Sequence, residues 1–177
     1  DPVFADPASH SSLDLVFAAY GYAVQIYCDF SAYTDMAIGL AALLGYRFPR
    51  NFNQPYRAQS LQDFWRRWHM TLSAWLRDYL YIEALGGSRF GKLPTYRNLM
   101  LTMLLGGLWH GANWTFIAWG GLPGGVLAAE RLWADVAPKR WPVLPGGGKG
   151  IATFHVVVLG WIFFRPASFA DARPYIR

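Results

Sequence analysis

One ionisable side chain, His110, lies within an apolar stretch from Leu99 to Trp119 that contains no Asp, Glu, Lys or Arg. Imidazole gains and loses a proton near neutral pH, so the chemistry open to it is proton transfer. A helix over this stretch is long enough to cross a bilayer, and at about 1.5 Å per residue it places His110 roughly 16 Å from Leu99. An ionisable group at that depth is costly to keep and is a functional candidate. The alternative is a hydrogen-bonded packing histidine, the commoner role of a lone histidine in an apolar helix.

The residues around His110 indicate close packing on one side and a polar neighbour on the other. Gly107 and Gly111 straddle His110 four residues apart, which leaves one helix face bare and allows another helix to approach closely. Asn113 and Trp114 follow about one turn later, and the Asn113 amide is a candidate hydrogen-bond partner for the imidazole.

Four further polar side chains lie in apolar or aromatic surroundings. Asp29 and Asp35 interrupt the apolar residues 13–46. They are expected either to face a helix-bundle interior or wet cavity, or to be structural and paired with Arg or backbone donors. His69 lies on the aromatic side of a helical repeat, where a packing role is commoner than chemistry. His155 is predicted to be a packing residue.

Composition and charge favour a membrane protein over a soluble or nucleic-acid-binding one. Aromatic residues make up 18% of the chain and charged residues 15%, against about 25% charged in soluble domains. The net charge is +5, and most of the basic residues fall between two apolar regions. The positive-inside rule therefore predicts that residues 47–97 lie on the cytoplasmic side. The single cysteine, Cys28, excludes an internal disulfide framework and a multi-cysteine metal site.

Four helical segments are predicted. Residues 13–46 form one long tilted helix or two joined at a kink, because a straight helix of that length exceeds the bilayer. Residues 60–82 form an amphipathic helix, at the membrane surface or folded into the protein, with Ser60 as N-cap and an Asp63–Arg67 pair. Residues 97–133 form the helix of His110, with a kink or break at Pro123. Residues 150–164 form a short membrane helix, thin or re-entrant.

Six stretches together resemble the membrane-bound O-acyltransferase family, in its alginate O-acetylation branch. Two of them are Phe-Trp-Arg-Arg-Trp-His-Met-Thr-Leu-Ser at 64–73 and Gly-Gly-Leu-Trp-His-Gly at 106–111; the others are 25–39, 51–56, 76–81 and 159–165. The resemblance implies an all-α, polytopic membrane helical bundle with amphipathic interfacial or re-entrant helices. Residues 1–177 would be a single fragment of that larger fold, with N-terminal spans missing. Pro123 departs from the branch pattern, which usually has a histidine there.

The resemblance implies acyl transfer, with acetyl as the expected group, from a cytoplasmic thioester donor toward hydroxyls of an extracytoplasmic polysaccharide. His110 matches the family's catalytic histidine and would be the general base, and His69 matches its second recurrent histidine. Asn113 or Trp114 would orient the His110 ring. Supporting roles fall to Asp29 and to three arginines that either attract the phosphates of coenzyme A or only set inside-positive topology: Arg66, Arg67 and Arg77.

The same resemblance sets the expected partners and location. The donor is acetyl-CoA or an acyl carrier, with no bound cofactor and no metal. Membrane lipid, a polysaccharide acceptor and an extracytoplasmic acetyltransferase partner are expected, and nucleic acid is not. The protein would be a multi-pass protein of the bacterial inner membrane. Alginate, cellulose, another exopolysaccharide and peptidoglycan all stay open as acceptors.

Other classes of function use the same polar residues. A transporter or proton-relay subunit would use Asp29, Asp35, His69 and His110 as relay groups. A haem protein would use His69 and His110 as axial ligands. Cys28 as an acyl nucleophile is a minor alternative, because the adjacent Asp29 would raise its pKa.

Overall fold

The computed structural model describes residues 2–137, 146–165 and 168–175, and these ranges are helical with no strand. A π-helical segment, Leu76–Ala84, continues directly from α4. The α-helices are α1 (Pro2–Ala5), α2 (Ser12–Leu43), α3 (Leu61–Trp65), α4 (Met70–Trp75), α5 (Lys92–His110), α6 (Trp114–Val136), α7 (Gly146–Phe164) and α8 (Phe169–Ala172).

Helix α2 is one continuous helix of 32 residues, which decides between the two alternatives for this segment. It begins with a capping box: the Ser11 hydroxyl accepts from the Asp14 backbone N–H, and the Asp14 carboxylate accepts from the Ser11 backbone N–H. Along this helix Asp29 and Asp35 are both exposed, as is the sulfur-bearing Cys28. The expectation that the two carboxylates face the interior of a bundle is therefore not met within the described residues.

The predicted single helix over 60–82 is wrong, because the chain breaks between α3 and α4. Ser60 caps α3 as predicted, and the Asp63–Arg67 ion pair is confirmed at 2.8 Å. The backbone then leaves the helix, and His69 adopts a left-handed conformation with φ of +44°. Backbone hydrogen bonds to residues 51–53 stabilise this non-helical turn. The Asn53 N–H donates to the Arg67 carbonyl, and the Met70 N–H donates to the Asn51 carbonyl. The helical spacing of apolar residues continues from α3 into α4, so the sequence pattern does not predict the break between them.

The predicted continuous helix over 97–133 is also wrong, because α5 ends at His110 and α6 begins at Trp114. The two helices pack against each other as a hairpin. Pro123 neither ends nor divides α6, which runs through it. His110 is thus the last residue of a helix and does not lie in the middle of one.

Glycines allow the α5 and α6 backbones to approach closely. The Cα of Gly107 faces the Phe116 carbonyl and Gly120, and Gly120 in turn faces the Met103 carbonyl. A side chain at either position would overlap these backbone atoms. The close approach predicted for Gly107 is therefore made by the segment directly after the helix break.

Within the described residues, a single helix has the length and apolarity of a membrane span: α7, over Gly147–Phe164. This helix is longer than the short segment predicted at 150–164. The predicted span over 99–119 is not a single helix, because the chain leaves it after His110. A multi-pass arrangement stays a prediction.

An aromatic core joins α3, α6 and α7 with the turn before α4. Its central rings are buried. Trp68 is tilted against Trp161 with 4.9 Å between ring centroids, and Trp161 stacks on Trp119 at 6.0 Å. Tyr56 extends this core to α2, where its hydroxyl donates to the Ala23 carbonyl at 2.5 Å. The core therefore fixes the α3–α4 turn relative to the α5–α6 hairpin.

Candidate active site

His110 lies where α5, α6 and α7 meet. Its half-buried ring is edge-on to Trp109, Trp119 and Phe164, with centroids 5.0, 5.0 and 5.3 Å away, and stacks on Phe116 at 6.3 Å. Aromatic rings from three helices thus hold the imidazole in a largely apolar surround.

His69 reaches the same region from the α3–α4 turn. Its ring is edge-on to Phe30 of α2 at 4.8 Å and to Trp109 at 6.4 Å. A non-glycine residue in the left-handed region costs about 1–2 kcal/mol. Strain of this kind persists only where the surroundings enforce it, and it is commonest at functional sites.

Trp109 packs against both histidines, because its ring contacts the imidazoles of His69 and His110. Burial, together with the nearby His110, lowers the pKa of His69 to about 4. His69 is therefore neutral near pH 7, and one of its ring nitrogens is then a proton or hydrogen-bond acceptor. The structure brings together the two histidines that the sequence singled out, although they are 41 positions apart.

The other predicted residues are placed differently from the histidine pair. The Asn113 side chain accepts a hydrogen bond from the Thr115 N–H at 3.1 Å and so caps α6. Trp114 is 71% exposed. An orienting role for either residue toward His110 stays a prediction.

Two of the three predicted donor-binding arginines are paired with carboxylates. Arg67 Nε lies 2.8 Å from Asp63, and Arg77 forms a two-pronged contact with Asp78 at 2.6 and 2.9 Å. The hydrogen bonds from Arg77 lower the pKa of Asp78, so this pair is ionic at neutral pH. Arg66 is exposed. Within the described ranges, no group of three His, Cys, Asp or Glu side chains is placed to hold a metal ion.

Sequence reasoning missed two polar residues that support the site. The Asn51 amide contacts the His69 ring, with 3.2 Å between Oδ1 and Nδ1. Glu130 of α6 accepts hydrogen bonds from the N–H groups of Leu61 and Gln62, at 2.8 and 3.4 Å. Glu130 was detectable as the only carboxylate in residues 97–133. Asn51 lies in one of the quoted motifs, but its partner depends on the unpredicted break at His69.

Replacing Glu130 with alanine should destabilise the protein by about 1–3 kcal/mol, because the N–H groups at the start of α3 lose their acceptor. Thermal unfolding of the full-length protein in detergent measures this change. Glu130→Gln keeps one carbonyl oxygen and should recover part of the loss. Glu83→Ala removes an exposed glutamate and is the matched control. A Glu130→Ala midpoint equal to that of Glu83→Ala would contradict the capping role.

The pattern of the MBOAT, membrane-bound O-acyltransferase family, matches residues 9–166. A probable alginate O-acetylase AlgI of Azotobacter vinelandii is 57% identical over 153 residues, which are 86% of this chain and 30% of that protein. A peptidoglycan O-acetyltransferase of Helicobacter pylori is 44% identical over 169 residues, 96% of this chain and 32% of that protein.

A more distant relative carries a different name. A teichoic acid D-alanyltransferase of Bacillus subtilis is 32% identical over 161 residues, which are 85% of this chain and 40% of that protein. The chain spans about 30% of the length of the alginate O-acetylases that it matches. The resemblance drawn from the motifs is confirmed: the chain belongs to the membrane-bound O-acyltransferase family.

Proposed function

We propose that this chain carries the acyl-transfer centre of an enzyme that moves an acyl group, in the simplest case acetyl, from a cytoplasmic thioester toward hydroxyls of an extracytoplasmic polysaccharide. The observation that carries the proposal is the convergence of His69 and His110 on Trp109. The names of the three relatives support the proposal. Two of the names denote O-acetylation, and all three denote acyl transfer to a cell-surface polymer.

His110 is the general base in this proposal. The acceptor hydroxyl oxygen attacks the thioester carbonyl, and its proton passes to the His110 imidazole. The carbon–sulfur bond then breaks, and the departing thiolate takes a proton, which returns His110 to its neutral form. His69 orients the reacting group, with Asn113 or Trp114 supporting the His110 ring. Aromatic rings around His110 exclude water, which would otherwise hydrolyse the thioester.

The donor binds on the basic side of the chain. Residues 47–97 contain nine Arg and Lys against three Asp and Glu, and the positive-inside rule assigns such a segment to the cytoplasm. Acetyl-CoA carries phosphates that Arg66, Arg67 and Arg77 attract. Arg66 offers an exposed guanidinium, whereas Arg67 and Arg77 already pair with carboxylates.

The acceptor side requires a partner. A polysaccharide is too bulky to reach a histidine enclosed by three helices, so the hydroxyl that is acylated at His110 is not the polymer's. It belongs to an extracytoplasmic acetyltransferase partner, and the ester formed there passes its acyl group to a polymer hydroxyl, which regenerates the partner's hydroxyl. Asp29 and Asp35, exposed on α2, are left without a role in the chemistry.

Vesicles containing the full-length protein test this division. With acetyl-CoA enclosed on the side that 47–97 faces, and with the partner and the polymer supplied outside, we expect free coenzyme A inside and acetylated polymer outside. Without the partner, the polymer should not be acetylated. A vesicle with no protein and one loaded with coenzyme A alone are the controls. Efficient polymer acetylation by the protein alone, with the donor supplied only outside, would overturn the proposal.

A further inference from the structure

Asn51 is a buried side chain, only 8% exposed, that touches His69 and has no part in the function proposed above. Its Oδ1 atom lies within hydrogen-bond distance of three groups: the Thr71 backbone nitrogen at 3.2 Å, the Thr71 hydroxyl at 3.0 Å and His69 Nδ1 at 3.2 Å. One amide oxygen therefore links the imidazole to the first turn of α4.

The Thr71 backbone N–H decides which end of the amide faces these groups. A backbone N–H only donates, so the atom opposite it must be the Asn51 oxygen and cannot be the amide nitrogen. The same oxygen faces His69 Nδ1, and an oxygen acceptor requires a proton on that nitrogen. A neutral imidazole carries one N–H, so the lone pair lies on Nε2.

The backbone around Asn51 fixes this arrangement. The Met70 N–H donates to the Asn51 carbonyl at 2.9 Å, and the Asn53 N–H donates to the Arg67 carbonyl at 2.9 Å. Two backbone hydrogen bonds thus flank His69, one on either side along the chain. They hold the left-handed conformation that turns the imidazole toward Asn51 and Trp109.

We propose that Asn51 is a positioning residue that locks His69 in its Nδ1–H tautomer and thereby keeps Nε2 available as an acceptor at the acyl-transfer site. The tautomer follows from the contacts of Asn51 alone, whereas its importance for turnover rests on the proposed function. Nε2 then accepts a hydrogen bond from an amide N–H of the donor's thioester arm and orients the thioester carbon toward the hydroxyl that His110 deprotonates. In the opposite tautomer, Nε2 would itself donate and could not accept from that N–H.

Nitrogen-15 magic-angle-spinning spectra of the full-length protein test the tautomer directly. Histidine is labelled at both ring nitrogens, and the His69 signals are identified by their loss in His69→Gln. We expect a protonated Nδ1 and an unprotonated Nε2 for His69 at neutral pH in the wild type. A protonated Nε2 with an unprotonated Nδ1 would overturn the inference, whether or not the protein shows acyl transfer.

Two substitutions at Asn51 test what the tautomer does. Asn51→Ala removes the acceptor, so we expect mixed tautomers and a fall in kcat of about 10–100-fold, as is typical when a partner that orients a functional histidine is lost. Asn51→Asp keeps an oxygen opposite both Nδ1 and the Thr71 N–H, so it should retain the Nδ1–H signal and recover most of the kcat. Asn53→Ala, an exposed asparagine two residues away, is the matched control.

The outcomes separate the two proposals. Mixed tautomers in Asn51→Ala with an unchanged kcat would overturn the positioning role, as would an Asn51→Asp variant that holds the tautomer but is as slow as Asn51→Ala. If Asn51→Ala does not accumulate, the wild-type spectrum still tests the tautomer of His69. The spectrum and kcat of Asn51→Asp then test the positioning role. A wild type with the predicted tautomer but no thioester consumption would refute the proposed function and support the tautomer assignment.

Discussion

Replacing His110 with alanine should reduce acyl transfer by about 10²–10⁴-fold, the range that a general base contributes. Among the described residues, the His110 imidazole is the proton acceptor that Trp109, Trp119 and Phe164 surround, and we expect no other side chain to take its place. The measurement is the rate of coenzyme A release by the full-length protein in vesicles, with its amount in the membrane determined in parallel.

The control for this experiment is another histidine of the same chain. His155 is exposed on α7, and its Nδ1 lies 2.7 Å from the Ile151 carbonyl of its own helix. His155→Ala should keep the wild-type rate. A near-normal rate in His110→Ala, at equal protein amounts, would contradict the assignment of His110 as the base.

Replacing Gly120 with alanine should destabilise the α5–α6 hairpin by about 1–3 kcal/mol or more, the cost of overpacking a tight contact. The added Cβ would overlap the Met103 carbonyl, which is backbone and cannot rotate away. Because α5 ends at His110, a displaced α5 also moves the candidate base. We therefore expect a lower yield of folded protein and lower activity per folded molecule.

The adjacent glycine makes this a matched comparison. A Cβ at Gly121 would meet the Leu104 side chain at 3.6 Å, which is an ordinary van der Waals contact. Gly121→Ala should therefore resemble the wild type in thermal midpoint and in rate. Equal thermal midpoints for the Gly120 and Gly121 variants would show that the hairpin does not depend on this close contact.

The sequence identifies the candidate residues of the site more readily than it predicts the backbone that positions them. His110 was identified by its isolation in an apolar stretch, and the resemblance added His69 from a motif. Both inferences depend on residue type, which the sequence states directly. The ends of α5 and α3 depend on tertiary contacts, and these carry little local signal: the pattern of apolar residues continues through both breaks.

Supporting polar residues were harder to predict for the same reason. Asn51 contacts His69 from 18 positions away, and Glu130 caps α3 from 69 positions away. Glu130 is the only carboxylate in residues 97–133, but nothing local indicates the partner of either residue. Glycine spacing, by contrast, correctly predicted a close helix contact at Gly107, because the absence of a side chain constrains packing wherever the partner comes from.

The position of His110 at the end of α5 matters for the charge that it acquires. The aligned peptide dipoles of a helix place about half a negative charge at its C-terminus, where the last carbonyls have no partner within the helix. α5 is 19 residues long, and His110 is its final residue. A cation at this point is stabilised by about 0.3–2 kcal/mol. The helix therefore favours the imidazolium that the proposed mechanism would form at His110, an electrostatic contribution that the middle of a helix could not supply.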